Sequence, residues 1–188
     1  MKVSYECDYT SFEHCKGVDI VVKHFTKFAV VASKIIDDSN MELLVTQYEG
    51  NQYEFSLSCG KKLSMIRVVN LRTGHYEHDT FSLGEEFQGK GLVKHMFRCT
   101  VDICEALGIT KVVTSAILDG RIVWLKRGFV PFCCETYFKR LENLGVRVPV
   151  CERNEYWFNQ ENLKKYEREV AEISWHGYAM VETLKQYA

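Results

Sequence analysis

Proline is scarce in this chain, with Pro131 and Pro149 the only two in 188 residues, and no low-complexity segment or internal repeat is apparent. A disordered or fibrous chain is thereby excluded. Net charge is nearly absent too, at a formal -1, so there is no overall attraction to nucleic-acid backbones or anionic lipid. No apolar run approaches the roughly 18 residues that would span a bilayer. The opening "MKVSYECDYT" lacks an apolar core of signal-peptide length, so a cytosolic protein with no membrane partner is expected. Eight cysteines are present, yet no two form a C-x-x-C pair, and a cytosolic setting keeps thiols reduced. Neither Cys7, His14 and Cys15 nor Cys133, Cys134 and Cys151 has zinc spacing, so no metal is expected. What is there, 46% hydrophobic and 26% charged residues, suits one folded domain with a substantial core.

"KVSYEC" at 2–7 reads as a first strand, with Asp8 or Thr10 able to cap a turn after it. From Val18 to Ile36 apolar residues recur at three- and four-residue intervals, which predicts a helix ended by "DDSN". Four runs, "ELLVTQY", "QYEFSLS", "LSMIRVV" and "HYEHDTFSL", are separated by turn sequences and predict an antiparallel meander. A second helix is expected over 91–107 with Gly108 as its stop, then a buried strand "KVVTSAI" and a short helix through "DGRIVWLKR". The resulting βαβα unit joins the meander in an α/β fold, a mixed, mainly antiparallel sheet flanked by helices. Beyond it "ETYFKRLENLG" reads as helical, "VRVPVCERNEYWF" as extended, and the rest as helical. The sheet is expected to end near Phe158, leaving residues 159–188 as a helical C-terminal extension packed on the domain formed by 1–158.

The stretch "SLGEEFQGKGLV" at 82–93 satisfies G-x-x-x-x-G-K through Gly84, Gly89 and Lys90. A nucleoside triphosphate loop then needs Ser or Thr for magnesium, and Gly91 stands there instead. The following strand offers only Asp119 beyond its end, and Glu85 with Glu86 puts negative charge inside the loop. A kinase or ATPase is disfavoured on these grounds. The same loop can hold phosphate without magnesium where backbone amides meet it at a helix N-terminus, or it can be a plain strand-to-helix turn.

"QGKGLV" resembles the pyrophosphate-binding signature of the GNAT acyl-CoA N-acyltransferases, Q/R-x-x-G-x-G/A, matched at Gln88 and Gly91 and departing at Val93. Downstream, "WLKRGFVPF" at 124–132 resembles that family's second landmark, an aromatic residue, three helical positions and Gly-Phe opening a strand. The likeness covers residues 75–132 well, 2–70 in element order, and the tail hardly at all. It implies a V-shaped sheet splayed between the strand before the loop and "KVVTSAI", with acetyl-CoA in the opening. Amides of Phe87, Gln88, Gly89, Lys90, Gly91, Leu92 and Val93 would hold the pyrophosphate. Main-chain groups of Phe81, Ser82 and Leu83 would pair with the pantetheine arm, one amide polarising the thioester carbonyl.

Acyl transfer to an amine needs a free lone pair, hence a base. By the resemblance this is the carboxylate eleven residues ahead of Gln88, Glu77, with Asp79 in reserve. The two-residue strand period puts both on one face with Phe81 and Leu83, and His78 on the other. The same carboxylates can equally decorate an exposed strand face. The family's acid is often a tyrosine four residues before the glycine of Gly-Phe; here that residue is Trp124, whose indole N–H is no acid. Trp124 is expected to pack beside the pantetheine, and Tyr137, Tyr156 or solvent remain as proton sources. An acyl-cysteine at Cys133 or Cys134 lacks a partner histidine at readable spacing. Two functions stay open: an acetyl-CoA-dependent N-acetyltransferase acting on a primary amine of a small molecule or protein, and a catalytically silent acyl-CoA-binding or protein-interaction module. Base stacking by Tyr156, Trp157 and Phe158 is conceivable, though the chain lacks basic character. Homodimerisation through the tail or edge strands is a further possibility.

Overall fold

The computed structural model describes residues 1–7, 12, 15–117 and 120–188; Asp8, Thr10, His14 and Asp119 lie outside them. Strand β1 (Lys2–Cys7) is followed by helix α1 (Lys16–Ile36), which buries Val18, Val21, Phe25, Phe28, Ala29, Ala32 and Ile36, the stripe its periodicity predicts. The helix ends where Asp37 turns left-handed at φ 52°. The meander follows as β2 (Glu42–Tyr48), β3 (Gln52–Cys59), β4 (Leu63–Asn70) and β5 (His75–Leu83). Alternation sends Leu43, Val45, Tyr53, Phe55, Leu57, Leu63, Met65 and Val69 into the core. Phe25 of α1 meets Phe55 with ring centroids 5.7 Å apart, so α1 covers this face.

Past the glycine loop come α2 (Leu92–Leu107), β6 (Lys111–Ala116), α3 (Gly120–Leu125), β7 (Val130–Pro131) and α4 (Cys134–Asn143). The chain closes with α5 (Gln160–Lys165), α6 (Glu167–Ala171), β8 (Trp175–Met180) and α7 (Val181–Leu184). The whole is an α/β fold, one eight-stranded mixed sheet in the order β1-β2-β3-β4-β5-β6-β8-β7, flanked by helices. Among the described residues no helix is long and apolar enough to cross a membrane.

Two expectations for the C-terminal part fail. Residues 146–158 form no strand but carry two single turns of 3₁₀ helix, Val150–Glu152 and Glu155–Trp157. Trp157 and Phe158 instead pack on Phe138 of α4, with centroids 5.4 and 5.7 Å away. Nor is the tail wholly helical: β8 enters the sheet between β6 and β7, antiparallel to both. Its inward positions are Trp175, Gly177 and Ala179. Gly177 has no side chain to mark the alternation, while the spacing of Leu163, Val170 and Ile173 carries a helical rhythm into the segment.

Gly177 is also what lets β7 close on β8. A Cβ there would overlap the Val130 carbonyl oxygen and come within 2.8 Å of the Trp175 ring. Gly177→Ala is therefore expected to destabilise the fold by about 3 kcal/mol through overpacking. Urea denaturation checks this, and an unchanged midpoint would contradict it.

Candidate functional site

β5 and β6 run parallel but pair only through Tyr76 with Val112, Glu77 with Val113, and His78 with Thr114. Beyond these pairs β5 stays with β4 as far as Leu83, while β6 follows β8 as far as Ala116. Among the described residues, no strand pairs with the β6-facing edge of residues 79–83.

A β-bulge sits where the β5–β6 pairing ends. In the β4–β5 register Ile66 faces Thr80 and Arg67 faces His78, so Asp79 is the extra residue. This corrects the expectation that Phe81 and Leu83 share a face with Glu77 and Asp79. The bulge shifts the alternation by one, and Phe81 and Leu83 lie opposite Met65 and Leu63, on the face of Tyr76 and His78. Glu77 is half-buried on the other face, its Oε2 3.8 Å from His75 Nε2. Asp79 is exposed, and its Oδ2 accepts from the Thr80 hydroxyl at 3.0 Å.

Beneath the bulge lies a polar cluster that the sequence reading passed over. Arg67 is fully buried, and its Nη1 donates to the carbonyls of Ile66 and Thr80, each at 2.6 Å. Its Nη2 lies 3.4 Å from His78 Nε2. A guanidinium can only donate, so His78 Nε2 accepts and the ring proton sits on Nδ1, which finds no partner. One signal pointed here: in "LSMIRVV" the arginine occupies an inward position between Met65 and Val69.

Burial, reinforced by the neighbouring guanidinium, holds His78 well below the ordinary histidine range. The folded ring stays neutral where an unfolded one would take up a proton. Stability is therefore complete above about pH 6.5 and falls as pH drops below it, by up to about 1.4 kcal/mol per pH unit from this residue. His24, held low chiefly by burial, adds to the slope. His78→Gln is expected to flatten the acid limb in urea titrations stepped from pH 7 to 5, and an unchanged limb would refute the assignment.

From Leu83 the chain enters the loop. Phe87 is buried and anchors it, and Lys90 Nζ lies 5.0 Å from the centre of the Phe87 ring. Gln88 Nε2 donates to the Leu83 carbonyl at 3.4 Å, tying the loop to the open edge of β5. Gly89 and Gly91 adopt φ of 75° and 82°, and a Cβ on either would meet nothing within 4 Å. Gly91 caps α2 without a side-chain bond, and among the described residues no backbone carbonyl accepts from the amides of Gly91, Leu92 and Val93. Three donors are thus left at the positive end of a helix running to Leu107, beside open space. Glu85 and Glu86 are exposed in the preceding turn.

Trp124 packs against the Arg67–His78 cluster, and the other candidates sit on other elements. Trp124 is buried in the core, its ring 4.3 Å from His78 and within 6.0 Å of Phe97 and Phe129. Tyr156 is 79% exposed, whereas Trp157 and Phe158 are buried, so the three do not form a stacking surface. Tyr137 and Cys133 share a cavity of about 410 Å³ at the C-terminal end of β6, lined also by Phe132, Arg140, Trp175 and His176. Burial raises the Tyr137 phenol above its usual value, which keeps it protonated. Cys133 Sγ lies 3.0 Å from the Thr136 hydroxyl, a contact that lowers the thiol's pKa. His176 Nδ1 is engaged instead with Ser115, at 2.8 Å. Among the described residues no three His, Cys, Asp or Glu side chains gather as a metal site would require.

Comparisons with family models, curated proteins and solved structures find no match to this chain.

Proposed function

We propose that the chain is an acetyl-CoA-dependent N-acetyltransferase that moves an acetyl group to a primary amine by direct attack. One observation carries the reading: among the described residues, a β5 edge at 79–83 that no strand pairs runs straight into a glycine loop that ends in three amides without a backbone acceptor. An extended pantetheine arm pairs naturally with such an edge, and a pyrophosphate with such amides. Gly89 and Gly91 fit the group, because their open side admits phosphate oxygens close to the backbone.

In this reading the amine nitrogen attacks the thioester carbonyl, the carbon–sulfur bond breaks, and CoA leaves as a thiolate. Glu77, directly or through water, takes the proton that frees the amine's lone pair. A thiol of ordinary pKa near 8.5 gains only modestly from an acid at pH 7. Solvent therefore suffices, and neither buried Trp124 nor the protonated Tyr137 needs to act.

A second reading, a GNAT-like module that binds acyl-CoA without turnover, is favoured by Trp124, which fills the acid position with a core ring. Calorimetric titration of acetyl-CoA, followed by a CoA-release assay across small amines and lysine peptides, tests both. Binding with release supports the enzyme, binding without release supports the silent module, and no binding of acetyl-CoA or CoA removes both.

A further inference from the structure

We infer that Arg67, buried behind β5, polarises the Thr80–Phe81 peptide so that the Phe81 N–H becomes the donor to the acyl carbonyl. This rests on the acetyl-CoA reading above and deepens it. Arg67 touches no substrate in this arrangement; it is a positioning residue acting through one peptide group.

The geometry runs along β5. Gly84 N–H donates to Lys62, whose carbonyl extends the β4 side, at 2.9 Å. Main-chain groups alternate sides along a strand, so Ser82 and Thr80 also address β4, while Leu83 and Phe81 address the open edge. Two bonds agree with this phase. The Leu83 carbonyl accepts from Gln88, outside β4, and the Thr80 carbonyl accepts from Arg67. In one trans peptide plane the carbonyl and the following N–H point in opposite directions. With the guanidinium on the Thr80 oxygen, the Phe81 N–H points into the gap beside β6.

A cation bonded to a peptide oxygen draws electron density from the nitrogen and strengthens the N–H as a donor. Because Arg67 is fully buried, water does not screen it. The groups nearest it otherwise, the Ile66 carbonyl, the His78 ring and the Tyr76 phenol, are neutral, and the Asp79 carboxylate acts on it only through space. His78 stays uncharged beside it, held low by burial. Among the described residues no carboxylate forms an ion pair with Arg67, and such a charge is costly as pure architecture. Aimed at a peptide that meets a developing oxyanion, it stabilises charge where acyl transfer creates it. The bulge at Asp79 supplies the phase, since without the extra residue the open-edge amides would fall one position away.

Two measurements on the full chain decide the matter. Isotope-edited infrared spectra of acetyl-CoA labelled with ¹³C at the thioester carbonyl should show a stretch moved to lower frequency on binding. Arg67→Met at saturating ligand should lose most of that shift and Arg67→Lys keep most of it, with CoA itself binding all three proteins equally. An undiminished shift in Arg67→Met, with acetyl-CoA bound, overturns the inference and leaves the acetyl-CoA reading standing. The second measurement needs neither ligand nor variant. Base-catalysed exchange of the Phe81 N–H in the free protein should run about tenfold faster than that of Leu83, on the same open edge without a cation behind it. Equal rates overturn the inference, and a faster Phe81 amide in a protein that ignores acetyl-CoA removes the acetyl-CoA reading alone.

Discussion

Gly91→Glu is expected to weaken acetyl-CoA binding by at least about a hundredfold, roughly 3 kcal/mol. Three effects act at one atom position. The φ of 82° is one that a side chain adopts only at a cost of about 1–2 kcal/mol, so the local backbone is strained or rearranged. A carboxylate then projects into the open space beside the Gly91, Leu92 and Val93 amides. There it competes for the donors that would hold pyrophosphate and repels the phosphate charge. Asparagine tolerates the left-handed conformation, so Gly91→Asn separates strain and charge: it should bind far more tightly than the glutamate variant. Because a Cβ at 91 touches nothing within 4 Å, unfolding of either variant should differ from the parent by only about 1–2 kcal/mol. Calorimetry that finds acetyl-CoA affinity unchanged in Gly91→Glu would show that the loop is a turn and no more.

The parts of this fold that the sequence made legible are those in which one local rhythm decides the outcome. The stripe of α1, the boundaries of β2 and β5, and Gly108 as the stop of α2 follow from side-chain period and turn chemistry. The bulge at Asp79 could not be read this way, because a bulge is a mismatch of count between two strands. Nothing within "HYEHDTFSL" shows that Arg67 and Ile66 will face His78 and Thr80. The consequence is specific: alternation placed Glu77 and Phe81 on one face, and the pairing places them on opposite faces. β8 was hidden for a different reason. Its inward positions hold Trp175, Gly177 and Ala179, and only the neighbour strands β6 and β7 reveal that the glycine is buried. Arg67 was visible as a charge in an inward register, but its meaning depends on the Thr80 carbonyl, thirteen residues away.

Glu77→Gln is expected to lower kcat/KM for an accepted amine by roughly a thousandfold, within the range that general-base removal costs. The glutamine keeps the shape and loses the proton acceptor, so acetyl-CoA affinity should stay at the parent value. The bulge supports this separation, since it puts Glu77 on the face away from Phe81 and Leu83. The donor's main-chain contacts lie in the sheet plane at the β5 edge while the base projects from one face, and the amine would approach from the face that carries the carboxylate. The pH dependence gives the sharper signature. A variant without a base relies on amine already deprotonated in solution, so its rate should climb about tenfold per pH unit up to the amine's own pKa, whereas the parent flattens earlier. Asp79→Asn supplies the comparison: Asp79 is exposed and already accepts from the Thr80 hydroxyl, so its loss should cost far less. If the two variants exchange these outcomes, Asp79 is the base. If Glu77→Gln matches the parent at every pH while both release CoA, attack needs no carboxylate and the half-buried face of β5 only decorates the sheet.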